Sequence, residues 1–172
     1  MDFLHKMISG RKEWTGFHFG ELQSQATLLT IAGSETTATA LCGITYFLCR
    51  DSRAYKKLSN EIRGAFADYE EITGRTTEHL PYLKAVIDEG LRLYPPIAAG
   101  LPRVSPGEIV DGHFVAKGTI VSVNTWVAGH VEANFHDAFA FIPERWLDQE
   151  CKDDKDASQP FLLGARVCLG RQ

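Results

Sequence analysis

Cys168 stands in the run Phe161-Leu-Leu-Gly164-Ala-Arg166-Val-Cys168-Leu-Gly170, whose residue types suit a thiolate that binds a metal. The thiolate is the ligating form, and it needs donors and room around the sulfur. Gly164 and Gly170 let the backbone turn tightly and approach a flat macrocycle. Backbone N–H groups in such a turn stabilise the negative sulfur, and Phe161 shields it from water. Arg166 suits a carboxylate partner. A second set is Glu89-Gly-Leu-Arg92, whose charges lie three apart and can pair on one helix face. A third is Ala32-Gly33-Ser34-Glu35-Thr36. Glycine, serine and threonine are poor helix formers, and glycine alone costs about 1 kcal/mol against alanine. A glutamate at 35 also interrupts an apolar face.

The elements that must position these groups follow from periodicity. Leu22, Ala26, Leu29, Gly33, Ala40, Leu41, Ile44 and Leu48 recur at spacings of three and four, which predicts one helix over 20–49. At ~1.5 Å per residue it is about 43 Å long and crosses a whole domain. Asp51 or Ser52 caps a second helix over 51–66, with Leu58, Ile62 and Phe66 inward. Residues 67–75 read as loop, with Thr76-Thr77-Glu78 able to cap a short turn. Pro81 opens a third helix over 81–94, and Pro95-Pro96 stops it. Short strands are expected between 98 and 123, at Ala98–Val104, Glu108–Val110, His113–Val115 and Thr119–Val123. Asp111-Gly112 and Lys117-Gly118 supply the turns between them. A short helix near Trp126–Val131 precedes an irregular meander over 133–160, pinned by Phe135, Phe139, Phe141 and Trp146. The cysteine loop occupies 161–172. Residues 1–19 read as a lead-in helix and a loop.

The bulk numbers exclude several classes. The chain has 172 residues, 44% hydrophobic and 23% charged, which describes a globular domain with a real core. A net charge of -4 without a Lys/Arg cluster argues against a nucleic-acid partner. No stretch approaches the roughly 20 apolar residues of a membrane span, and the N-terminus lacks a signal-peptide pattern. The four cysteines, Cys42, Cys49, Cys151 and Cys168, include no Cys-x-x-Cys pair, so a structural zinc site is not expected. Cys42 and Cys49 lie seven apart on a helix and read as small buried residues. His113, His130 and His136 read as turn and surface residues with no ligand role.

The cysteine run resembles the ligand loop of the cytochrome P450 superfamily of haem-thiolate monooxygenases, Phe-x-x-Gly-x-Arg-x-Cys-x-Gly, with all five positions present. The resemblance implies that Cys168 ligates the iron of haem b. Phe161, Gly164, Arg166 and Gly170 then shape the cofactor site, with Arg166 on a haem propionate. Ala165 and Val167 stand where proline and glycine are common in the family. A β-branched Val167 resists φ > 0 and would distort the loop. Glu89 and Arg92 match the family's Glu-x-x-Arg, which joins an arginine of a Pro-Glu-Arg segment, here Pro143-Glu144-Arg145. Glu89, Arg92 and Arg145 are thus expected to form a buried network. Residues 32–36 resemble the distal oxygen-binding helix, which implies space over the iron at Ala32 and Gly33. Thr36 would hold dioxygen, and Glu35 would relay protons to it. Arg103 matches an arginine that contacts a haem propionate, and Ile97–Leu101 would face the substrate.

The motif order matches the C-terminal half of the family fold over about residues 20–172, one incomplete domain, mainly α with a small β region. The wording of 110–119 and 141–147 is most similar to fungal microsomal members. The implied reaction inserts one atom of dioxygen into a small hydrophobic organic substrate, with electrons from NADPH through a reductase. Full-length relatives would sit at the endoplasmic reticulum membrane, whereas a chain without an anchor would be soluble or cytoplasmic. The chain ends four residues after Cys168, and the family's N-terminal half and the helix beneath the haem are expected to be missing. A truncated, catalytically inactive product and a haem-binding module without turnover are therefore alternative readings. A zinc-binding or helical interaction protein is a more distant one.

Overall fold

The computed structural model describes residues 19–171. About 54% of the chain is helical with a few small antiparallel strands, an α+β architecture. The expected lead-in helix and loop of 1–19 lie outside the described residues except for Phe19, which begins the first helix. Contacts divide the chain into two compact units, 1–38 and 39–172, with the boundary inside the first helix. Among the described residues no helix is long and apolar enough to cross a membrane.

The first helix, α1, spans Phe19–Arg50. In the second unit its end packs on the core through Ile44 and Leu48, with Gly43 buried against Tyr94. Cys42 and Cys49 are exposed, contrary to the expectation that they are buried. The reason is angular. At 100° per residue, Gly43, Ile44, Phe47 and Leu48 form the inward arc, and Cys42 and Cys49 fall outside it. Leu41, also expected inward, is exposed too, although it lies within about 20° of Leu48 on the helix wheel.

Asp51 caps α2 (Ser52–Ala65) by accepting from the N–H groups of Arg53 and Ala54. Where a loop is expected, a 3-10 turn (Tyr69–Glu71) and a single-turn helix α3 (Gly74–Thr77) form. Its cap is Thr73, in a reciprocal box with Thr76. Helix α4 (Pro81–Leu93) begins with proline at its first turn. Its N-cap residue Leu80 has no capping side chain, and Glu61 of α2 reaches across to accept from the N–H groups of Tyr82 and Leu83, both at 2.8 Å. A distant carboxylate thus does the work of a local cap. Leu58, Tyr82 and Val86 form the core, with Ile44, Leu48, Ile62, Leu83 and Phe141 packed around them.

The strands are shorter than their β-rich sequence suggests. β1 (Arg103–Val104) pairs antiparallel with β4 (Ile120–Val121), and β2 (Glu108–Val110) pairs antiparallel with β3 (His113–Val115). Asp111 (φ 48) and Gly112 (φ 75) make the two-residue turn of the β2–β3 hairpin. Ala98–Pro102 is not strand. Gly100 sits at φ 74 there, and a Cβ on it would lie 1.8 Å from the Val123 carbonyl oxygen. Helix α5 covers Thr125–His130, capped by Asn124. The meander holds 3-10 turns at Pro143–Trp146 and Lys155–Ala157. Phe135 is fully buried, and Phe141 stacks on Phe47 at 5.3 Å. Phe139, expected to pin the meander, is exposed, because its neighbour Ala138 takes the inward position.

Candidate active site

Residues 161–171 fold as a tight loop around a 3-10 turn at Gly164–Arg166. Two residues take left-handed conformations, Leu162 at φ 62 and Gly164 at φ 70. Gly164 does so without strain, whereas Leu162 bears a modest cost. Val167 lies at φ -57 and ψ 146, an extended conformation that a β-branched residue accepts readily. The expected distortion at Val167 is therefore absent, because the positive φ falls at positions 162 and 164. The Cys168 N–H donates to the Phe161 carbonyl at 2.8 Å and closes the loop. That N–H is committed to the loop rather than to its own sulfur. Cys168 is a free, exposed thiol, and Phe161 is only half-buried, so the sulfur is open to solvent where shielding is expected. A Cβ on Gly170 would stand 3.8 Å from the Cys168 sulfur, so the backbone passes beside it with no side chain between.

The Glu89 carboxylate lies at the centre of a buried network. Arg92 donates to it twice, from Nε to Oε2 and from Nη2 to Oε1, both at 2.8 Å. Arg145 Nε donates to Oε1 at 3.1 Å, the Ile142 N–H to Oε1 at 2.9 Å, and Trp146 Nε1 to Oε2 at 2.9 Å. The side chains of Glu89, Arg92 and Arg145 are 0% exposed. Arg92 uses its remaining donors on the carbonyls of Gly129, Ala138 and Ala140, and Arg145 on the His136 carbonyl and Asp153. Both guanidiniums lie over the ring of buried Phe135. Helix α4, helix α5 and the meander are thereby held at one point. A carboxylate between two guanidiniums, with every guanidinium nitrogen partnered, satisfies the condition under which buried charge is tolerable.

Sequence reasoning missed three members of this network: Trp146, His136 and Asp153. The Asp153 side chain is 4% exposed and takes Arg145 Nη1, the His136 N–H at 2.9 Å and the His136 ring at 2.7 Å. Burial opposes its ionisation, but those donors outweigh burial and hold its carboxyl well below the usual carboxylate range. Buried charge on Arg145 demands a second acid, and that demand was the available signal. Nothing in the spacing says which acid answers it. Next to this network, Glu144 Oε1 takes Arg53, Lys57 and the Tyr82 hydroxyl. Burial opposes its ionisation too, and the Arg53, backbone and Lys57 donors again lower its pKa.

Within its own unit, α1 keeps helical hydrogen bonding through residues 32–36. The Thr36 hydroxyl donates to the Ala32 carbonyl at 2.6 Å, a bond across one turn. A Cβ on Gly33 would meet no atom within 4 Å, and Ala32 and Glu35 are exposed. In the second unit Arg103 is exposed at the start of β1 and donates to the Pro102 carbonyl at 2.9 Å. Arg166 is exposed beside Cys168.

Three relatives place this arrangement among known proteins. The cytochrome P450 monooxygenase BOT4 of Botryotinia fuckeliana is 50% identical over 151 residues, covering 88% of this chain and 29% of the relative. The cytochrome P450 monooxygenase ORF9 of Penicillium roqueforti is 43% identical over 170 residues, 99% of this chain and 33% of the relative. The cytochrome P450 monooxygenase atr2 of Stereocaulon alpinum is 45% identical over 174 residues, 99% of this chain and 34% of the relative. The chain thus spans about a third of the length of the curated relatives it matches. The sequence profile of the Cytochrome P450 family matches residues 1–172 throughout, and the chain belongs to that family.

Proposed function

We propose that this chain carries the haem-thiolate part of a monooxygenase, with Cys168 as the thiolate ligand of haem b. The observation that carries the reading is the Cys168 loop. Its sulfur is a free, exposed thiol, and glycine at 170 leaves the space beside it clear. These residues fit a flat macrocycle with an accessible iron. When bound, the haem supplies a redox-active iron that activates dioxygen and delivers one oxygen atom to an organic substrate.

The chain's own residues have separable tasks. Cys168 donates a sulfur electron pair, and Gly164 and Phe161 set the loop that presents it. Arg103 and Arg166 offer guanidiniums to the cofactor's carboxylates. Ala32 and Gly33 keep side-chain bulk low on α1. Glu35, exposed to solvent, passes protons inward, and Thr36 holds one at its hydroxyl, now spent on Ala32. Glu89, Arg92 and Arg145 touch no reacting atom and hold α4, α5 and the meander together. The substrate is a small hydrophobic molecule, and electrons come from NADPH through a reductase.

The test is turnover by the chain loaded with haem and supplied with NADPH, a P450 reductase and isotopically labelled dioxygen. The expected product carries one labelled oxygen atom. Bound haem with no labelled product from a broad panel of small hydrophobic compounds would favour a haem-binding module without turnover.

A further inference from the structure

The meander brings three chemically different ligand groups together on one side of the buried network. The His136 imidazole, the Cys151 thiol and the Asp153 carboxylate each present a donor atom, all within 4.8 Å of one another. None of them belongs to the residues assigned above to a cofactor. We propose that His136, Cys151 and Asp153 form a binding site for a divalent zinc-like cation.

The donor set is the first argument. One nitrogen, one sulfur and one oxygen suit a borderline-soft ion such as Zn²⁺ and do not suit Mg²⁺ or Ca²⁺. Bond lengths of about 2.0–2.3 Å place tetrahedral ligand atoms roughly 3.3–3.8 Å apart. The widest pair must therefore close by up to about 1.5 Å, while His136 Nδ1, hydrogen-bonded to Asp153 Oδ1 at 2.7 Å, exchanges that bond for the metal and draws back slightly. Two of the three ligands have the freedom to move: His136 has a side chain 57% exposed, and Cys151 is half-buried in an irregular segment.

The support of the carboxylate is the second argument. Asp153 divides its oxygens: Oδ2 takes Arg145 Nη1, and Oδ1 takes the His136 N–H at 2.9 Å and faces the His136 ring at 2.7 Å. Oδ1 is thus already aimed at the imidazole, with an outer arginine orienting the group as second partners of ligating carboxylates do. The segment is further tied down where the Asp154 N–H donates to the Asn134 carbonyl at 2.8 Å. Two of the three ligands therefore sit on backbones already fastened to each other. Charge also balances. A Cys151 thiolate and the Asp153 carboxylate offset the dication, and Asp153 remains shared with Arg145. Binding breaks the S–H bond of Cys151 and forms a metal–sulfur bond, and the proton goes to solvent. Affinity therefore rises with pH.

The experiment is a calorimetric titration of ZnCl₂ into the reduced full chain at pH 6.5 and 8, repeated with H136A, C151S and C168S. Zinc alone is the probe. The expected result is one ion per chain, tighter at the higher pH, with affinity weakened at least about tenfold in H136A and in C151S. C168S should retain the site. Cobalt substitution reads the same site by its thiolate charge-transfer band, which C151S should abolish and C168S should leave. Circular dichroism of each variant shows that it remains folded. Unchanged zinc affinity in both H136A and C151S would overturn the proposal. So would a cobalt band that follows Cys168 instead of Cys151, or failure of the wild-type chain to bind zinc at micromolar concentration.

Discussion

Replacing Glu89 by glutamine keeps the shape of the buried network and removes its charge. The carboxylate takes five N–H donors, three on Oε1 and two on Oε2. A glutamine carbonyl can serve the three at the Oε1 position. Its amide nitrogen then points donors at Arg92 Nε and Trp146 Nε1, and both bonds are lost. Two buried guanidiniums remain with Asp153 as their sole carboxylate partner among the described residues. Breaking a buried pair in this way costs about 3–5 kcal/mol, against a total stability of about 5–15 kcal/mol. With a urea m value of about 2 kcal/mol/M, the unfolding midpoint should fall by roughly 1.5–2.5 M. Urea unfolding of the parent and of E89Q, followed by circular dichroism, reads this directly. A second arm uses R145M, which removes one of the charges that Glu89 compensates. In that background E89Q should cost less, with a coupling of about 0.5–3 kcal/mol. An E89Q curve within about 0.5 kcal/mol of the parent would refute the claim that this carboxylate neutralises the network.

Four further outcomes follow from other parts of the molecule. Asp153 and Glu144 have lowered folded pKa values, so their contribution is present above the unfolded value of about 4 and is lost as pH falls through the folded one. Acid unfolding of D153N should accordingly depend less steeply on pH between about 5 and 2 than that of the parent. Tyr82 is pushed up to about 12 by burial and by the neighbouring Glu144, so its contribution is complete below about 10 and is lost as pH rises towards 12. Its phenolate absorbance should emerge only as pH nears 12, and Y82F should flatten the alkaline loss. G90A places a Cβ 2.4 Å from Ile44 Cγ1 and should cost about 1–3 kcal/mol by overpacking, read as a lowered urea midpoint. G164A meets open space but imposes a side chain at φ 70, so it should cost about 1–2 kcal/mol, confined to the cysteine loop, and reduce haem uptake.

What the sequence discloses depends on how local the determinant is. The Glu89–Arg92 pairing is readable because three residues on a helix define a shared face. Arg145 is readable through its Pro-Glu-Arg segment and the family resemblance. The Asp51 cap of α2 and the proline that opens α4 are equally local. Asp153 is not readable, because its partner Arg145 lies on a separate turn and only the folded meander joins them. The trans cap of α4 by Glu61 is hidden for the same reason. Spacing alone does not fix the angular centre of the buried arc on α1, so the exposure of Cys42 and Cys49 is hidden, and in the meander nothing local says that Ala138 rather than Phe139 turns inward. Val167 was misread because a motif position does not specify φ, and Leu162 and Gly164 take the turn instead. The His136–Cys151–Asp153 cluster left no trace in cysteine spacing, since its ligands come from two segments with unlike donors.

The central claim is that Cys168 supplies a thiolate to a haem iron. The most direct measurement is the absorption spectrum of the haem-loaded chain, reduced and bound to carbon monoxide, beside that of Cys168→Ala. A strongly red-shifted Soret band is expected in the parent, and its loss in the variant. An ordinary haem band in the parent, or a red-shifted band that survives Cys168→Ala, would contradict it.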